Sequence, residues 1–147
     1  MNFRTLASLS LSLIALANTS QIFSQTFRVK TATFSNGVEI YTEVFEYDYV
    51  DEKPEFPGGG DSMVKYINTN RHYPEEAYQS GIEGRVTCSF IVHADGKLSH
   101  IKVLRGVEPS LNQEAIRIVS SMPDWTPGKI NDQPVPVRVI CCIPFRR

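Results

Sequence analysis

The stretch RVTCSFIVHADGKLSHIKVL, residues 85–104, decides the fold of this chain because it predicts a β-hairpin. Apolar and polar residues alternate in its first half, as expected of a strand with one buried and one solvent-facing side. Asp95-Gly96 then supplies a turn, and residues 98–104 return as a second strand. The predicted buried side of the first strand consists of Val86, Cys88, Phe90 and Val92, and the opposite side of Arg85, Thr87, Ser89 and His93.

A helix and a further strand follow this hairpin. Ser110 and Gln113 have the spacing of a capping box, which predicts a helix whose apolar stripe continues to Met122. The stretch QPVPVRVICCIPF, residues 133–145, again alternates like a strand. Because the helix reverses the chain, the last strand is predicted to run antiparallel to residues 85–93 and to pair with them.

Together these elements predict an α+β fold with a three-stranded antiparallel sheet and two helices on one face. The expected strand order is 2-1-3, with residues 85–93 as strand 1, residues 98–104 as strand 2 and residues 134–145 as strand 3. In this arrangement the last strand is an outer strand of the sheet. The predicted inner face of strand 3 continues the apolar side of strand 1.

A second hairpin and two further helices are predicted upstream. Asn36-Gly37 lies between two runs with strand-like alternation, and this dipeptide favours a tight hairpin turn. Asp61 or Ser62 is expected to cap a helix, and residues 75–80 to form a short one. We therefore expect an N-terminal β-hairpin extension over residues 26–53 and the main domain over residues 54–147.

The first residues have the pattern of an export signal. Arg4 supplies positive charge, residues 6–16 are largely apolar, and Ala15-Leu16-Ala17 has the small-x-small pattern that signal peptidase prefers. The apolar run has about a dozen residues, whereas a helix needs about 20 to span a bilayer. A cleaved signal peptide over residues 1–17, or up to residue 25, is therefore favoured over an anchor. We therefore expect an exported chain.

The last strand carries three prolines, all at even-numbered positions: Pro134, Pro136 and Pro144. Successive strand residues direct their backbone groups to alternate sides, so all three missing N–H donors fall on one edge. We expect the intact edge to pair with residues 85–93 and the proline edge to face solvent. On that edge Arg138, Ile140 and Cys142 leave free backbone groups that could accept a short extended peptide. The prolines could equally serve only to prevent uncontrolled edge pairing.

Composition and spacing argue against several other classes of function. A net charge of -1 over 147 residues gives no basic excess for nucleic acid. Cys88, Cys141 and Cys142 lack the spacing of metal ligands, and no nucleophile, base and orienting group come together. We therefore expect no metal or other cofactor and no enzymatic activity. Cys88 and Cys141 are expected to be small buried residues or, if their strands pair, a disulfide.

Four stretches resemble, in chain order, the TonB C-terminal domain family in the variant common in Bacteroidetes-type bacteria. They are FPGGGDSMVKYI, HYPEEAYQSGIEGRVTCSFIVHADGKLSHIKVLRG, LNQEAIRIVSSMPDWTPGK and PVPVRVICCIPF. The resemblance covers about residues 50–147, and Tyr73-Pro74, Asp95-Gly96 and Trp125 are among its residues in register.

The resemblance implies a partner. TonB C-terminal domains are periplasmic and bind a short peptide of outer-membrane transporters, the TonB box, as an added strand on their last strand. The segment that ends in the Tyr-Pro motif also contacts transporters in this family. The peptide-binding residues expected here are therefore Arg71, His72, Tyr73, Pro74, Arg138, Ile140 and Cys142.

The N-terminal part departs from the family. A full TonB has a transmembrane helix, which couples to a proton-driven motor, and a long proline-rich spacer, whereas this chain has a signal pattern and a hairpin. The alternative function is therefore an envelope scaffold or regulatory protein that is not coupled to the motor. The open edge also permits a homodimer by strand exchange. We expect membrane contact only through partners or an uncleaved signal.

Overall fold

The structure is a computed structural model that describes residues 28–35 and 38–147. The predicted signal peptide, residues 1–17 or 1–25, and the Asn36-Gly37 turn lie outside these residues.

The described part of the chain contains three helices and seven strands. In chain order they are β1 Arg28–Ser35, β2 Val38–Glu46, a 3-10 turn Tyr47–Tyr49, α1 Gly59–Asn70, α2 Glu75–Gln79, β3 Gly84–Val92, β4 Leu98–Arg105, α3 Pro109–Ser120, β5 Gly128–Ile130, β6 Gln133–Val135 and β7 Val137–Phe145. None of these helices combines the length and the apolar character that a membrane span requires.

Five strands form one sheet in the order β1-β2-β7-β3-β4. β3 lies between β4 and β7 and pairs antiparallel with both. The fold is α+β as predicted, but the prediction of a three-stranded sheet with the last strand outermost is wrong. β2 runs parallel to the start of β7 and covers backbone groups that a three-stranded sheet would leave open. The described residues form three helices, as the local patterns predicted, although the predicted architecture placed only two of them on the face of the sheet.

The last predicted strand is divided at Pro136. Its first residues form β6, which pairs with β5 in a separate two-stranded sheet. Asn131 and Asp132 form the turn with φ of 50° and 62°, the left-handed conformation that a tight hairpin turn requires at both central positions. Pro134 therefore lies in β6, opposite Lys129, and is not part of the β7 edge.

The core lies between the sheet and the helices. The predicted inner residues of β3 are all buried, and those of β7 that join them are Val139, Cys141, Ile143 and Phe145. Val135, predicted on the same face, is only half-buried because it belongs to β6. The apolar stripe of α3 covers this face with Leu111, Ala115, Ile118 and Val119. Each large side chain buried in this way contributes about 1.5–3 kcal/mol to folding.

The two helix caps differ from the predictions. Glu108, not Ser110, caps α3, since its carboxylate accepts hydrogen bonds from the N–H groups of Ser110 at 3.0 Å and Leu111 at 3.4 Å. Pro109 occupies the first helical position, where its missing donor costs nothing, and the cap lies two residues upstream of Ser110. At α1 the cap is Gly58 with φ of 81°, and no side chain caps the helix.

Candidate functional site

The N-terminal hairpin closes the first part of the β7 edge. The N–H of Phe45 donates to the carbonyl of Pro136 at 2.9 Å, and Glu46 pairs with Arg138 in the parallel register. Their side chains also form an ion pair at 3.1 Å. Arg138, predicted to offer free backbone groups, is therefore engaged by β2.

A short window of this edge remains open beyond Arg138. β2 ends at Glu46, and no later residue of β7 has a register partner on this side among the described strands. Ile140 is 59% exposed, and Cys142 is exposed as well. By strand alternation their N–H and C=O groups point in the same direction as the carbonyl of Pro136, away from β3.

Arg71 closes the far end of the window. Its guanidinium donates a hydrogen bond to the carbonyl of Pro144, the next even-numbered residue after Cys142. The segment before the Tyr-Pro motif and the edge of β7, two regions predicted separately from the sequence, therefore meet in the fold. Between Arg138 and Pro144, the residues whose backbone groups point outward and remain open are Ile140 and Cys142.

The other residues of the Tyr-Pro segment have different surroundings. Tyr73 is half-buried: its hydroxyl donates to the carbonyl of Ile82 at 2.5 Å, and its ring meets Phe145 edge-on at 5.6 Å. Pro74 precedes α2 and serves as its N-terminal boundary. The side chain of His72 is exposed. Tyr73 thus supports the fold, while Arg71 and His72 face the accessible surface.

A buried carboxylate on α3 holds this segment in place. Glu114 accepts a hydrogen bond from the backbone N–H of His72 at 2.7 Å and two from the Arg117 guanidinium at 2.8 and 2.7 Å. Arg117 also donates to the carbonyl of Asn70 at 2.5 Å. Burial by itself would raise the pKa of Glu114, but these hydrogen bonds outweigh it and lower the pKa below its ordinary value. α3 therefore positions the backbone on either side of Arg71.

Two further arginines lie at this site and were not predicted from the sequence. Arg85 on β3 and Arg146 after β7 line an open pocket together with Arg71 and Cys142. A signal for Arg85 was present, because strand alternation already assigned it to the outer side of its strand, and it lies opposite Pro144 in the β3–β7 register. Arg146 had no comparable signal, since it follows the last strand.

The three cysteines are free thiols. Cys88 and Cys141 are buried opposite each other on paired strands, as the disulfide alternative required, but no bond joins them. Burial raises the pKa of both thiols, that of Cys141 to about 12. Cys142 points to the other side of β7 and is exposed. The described residues hold no group of three or more His, Cys, Asp or Glu side chains that could bind a metal ion.

An open strand edge beside an anchored loop is the geometry of an interaction module. The family described as Gram-negative bacterial TonB protein C-terminal matches residues 69–146, and the chain belongs to this family. The family is a non-enzymatic interaction module of the periplasm and generally interacts with outer-membrane transporters.

Two solved structures resemble the chain, both NMR solution structures of the Helicobacter pylori TonB C-terminal domain. The one of residues 194–285 is 26% identical with a TM-score of 0.44, and the match covers 58% of this chain and 90% of that one. The one of residues 179–285 is 25% identical with a TM-score of 0.42, with coverage of 62% and 88%. No curated protein matches the chain.

Proposed function

We propose that this chain is an exported periplasmic module that binds the TonB-box peptide of an outer-membrane transporter. The peptide adds as a strand to the outer edge of β7. The observation that carries this proposal is the open window at Ile140 and Cys142, bounded by β2 at one end and by Arg71 at the other. Membership of the TonB C-terminal family supplies the class of partner.

Backbone hydrogen bonds provide the main attraction in this mode of binding. The N–H and C=O groups of Ile140 and Cys142 are free of register partners on the outer side, and an extended peptide satisfies them without rearranging β3. The exposed side chain of Ile140 offers apolar contact next to these groups. Binding that extends to Arg138 requires displacement of the end of β2, which pairs with β7 over only two residues.

The test is a titration of the protein with synthetic TonB-box peptides from transporters of the same genome, in the wild type and in Ile140→Pro. Proline removes the outward N–H but no bond to β3, and the same parity already accommodates Pro144. We expect Ile140→Pro to weaken binding about tenfold or more, with little change in thermal stability. Ile140→Val keeps the donor and should bind like the wild type. No binding to the wild type at millimolar peptide would contradict the proposal.

A second candidate is an envelope scaffold or regulatory protein whose partner contacts the N-terminal hairpin. The exposed aromatic rings at its end favour it, since Tyr47 is 40% and Tyr49 51% exposed. Deletion of residues 26–49, which removes the hairpin together with both tyrosines, distinguishes the two functions. Peptide binding at β7 should survive the deletion, whereas a partner held by the hairpin should be lost in a pull-down with the shortened chain.

A further inference from the structure

An open pocket of about 390 Å³ adjoins the window on the β7 edge. We call it the arginine pocket, and its lining residues are Asn68, Arg71, Arg85, Cys142, Pro144 and Arg146. Cys142 belongs both to the pocket and to the window, so the two are continuous.

The charge of the arginine pocket is uncompensated. No carboxylate lines it, and none of its arginines forms an ion pair with the described residues. Glu83 is already engaged by Arg147, whose backbone N–H donates to its carboxylate at 2.9 Å and whose guanidinium lies 3.5 Å away. These contacts with Arg147 lower the pKa of Glu83, and the charge of Arg146 contributes least to that shift. Three guanidinium groups around one cavity repel each other, and an anion bound between them would relieve this repulsion.

The donors are also available. Arg71 donates one hydrogen bond to the carbonyl of Pro144. A guanidinium has five N–H donors, so Arg71 can donate further hydrogen bonds to a ligand. Arg85 and Arg146 are exposed and make no hydrogen bond to another described residue through their side chains. Arginine binds carboxylates through two parallel hydrogen bonds, which combine charge with a fixed geometry.

Position decides which anion reaches the pocket. A peptide paired with Ile140 and Cys142 continues directly over Pro144, because strand residues advance by about 3.3 Å each. We propose that the arginine pocket binds the carboxylate of an acidic side chain in the docked peptide, one or two residues beyond its paired part. This inference rests on the proposed function and adds a sequence requirement to it: the partner strand carries an acid at one position.

The test is a glutamate scan of a TonB-box peptide. All acidic residues of the peptide are replaced by glutamine, and a single glutamate is then placed at successive positions. We expect one position to bind about fivefold more tightly at low ionic strength, with lower affinity at its direct neighbours, whose side chains point to the other face. The preference should weaken at high salt.

Variants of the protein test whether the arginine pocket causes the preference for glutamate at one peptide position. Arg85→Gln combined with Arg146→Gln should abolish the glutamate preference while the all-glutamine peptide still binds. A control that removes the same charge elsewhere, Lys97→Gln combined with Arg105→Gln, should retain the preference. A flat scan with every peptide bound, or a preference unchanged in the pocket variant, would overturn this inference alone. Failure of all peptides to bind would overturn the proposed function together with it.

Discussion

The N–H of Phe45 on β2 donates to the carbonyl of Pro136 just before β7, at 2.9 Å. Through this bond the N-terminal hairpin occupies the beginning of the edge on which we propose that a peptide docks. The hairpin therefore competes with any peptide longer than the open window. Its hold on β7 is short, two paired residues and the ion pair between Glu46 and Arg138.

Phe45→Pro should increase the affinity for a TonB-box peptide. Proline removes the donor to Pro136, and strand alternation directs that N–H towards β7 rather than towards β1. With the competing strand weakened, binding should tighten about threefold or more, measured by calorimetric titration. Phe45→Leu keeps the donor and is the matched control. Weaker binding in Phe45→Pro would mean that the hairpin forms part of the peptide site.

Gly96→Ala should destabilise the fold strongly. Gly96 has φ of +85°, and an added Cβ would lie 2.2 Å from the carbonyl oxygen of Trp125. The N–H of Trp125 also donates to the carbonyl of Gly96 at 2.8 Å, so neither backbone can move freely. We expect a loss of about 2–4 kcal/mol in the free energy of unfolding, measured with urea.

Gly60→Ala is the matched control for that variant. Gly60 lies in α1, and an added Cβ there meets no atom within 4 Å. Alanine has the higher helix propensity, so the free energy of unfolding should rise by about 0.5–1 kcal/mol. Equal destabilisation by both substitutions would contradict the assignment of Gly96 to a constrained turn.

Glu114 should make stability depend on pH in the acid range. Its pKa is lowered in the folded state from an ordinary value of 4.5, so the unfolded chain takes up a proton more readily. The stabilisation is therefore complete above pH 4.5 and is lost as pH falls through the folded-state pKa. Urea unfolding of the wild type should show this loss, whereas Glu114→Gln should be less stable at neutral pH by about 1–3 kcal/mol and show a shallower acid dependence. Glu76→Gln, at an exposed position, should follow the wild type.

The thiols should differ sharply in reactivity. Cys142 is exposed, whereas burial raises the pKa of Cys88 and of Cys141 and keeps both protonated. A thiol-alkylating reagent at pH 8 should modify one cysteine in the native protein and all three in denaturant, as counted by mass spectrometry. Rapid modification of two or three native cysteines would contradict the burial of the pair.

Local patterns predicted the elements that depend on neighbouring residues. The hairpin of β3 and β4, the α3 helix and the buried side of β7 all follow from periodicity over short stretches, which reflects one buried face. The caps were less predictable. Ser110 and Glu108 can both accept backbone N–H groups, and the position of Pro109 decided between them.

The sequence by itself determined the alternation that buries one side of β3 and β7, the parity of Pro136 and Pro144 and, through its motifs, the family. These features are local, because the backbone geometry of a strand or a proline depends on few neighbours. Only the tertiary structure decided that β2 covers the start of β7 and that Arg71, Arg85 and Arg146 surround one pocket. Contacts between residues far apart in the chain depend on how whole elements pack, and no short pattern encodes that choice.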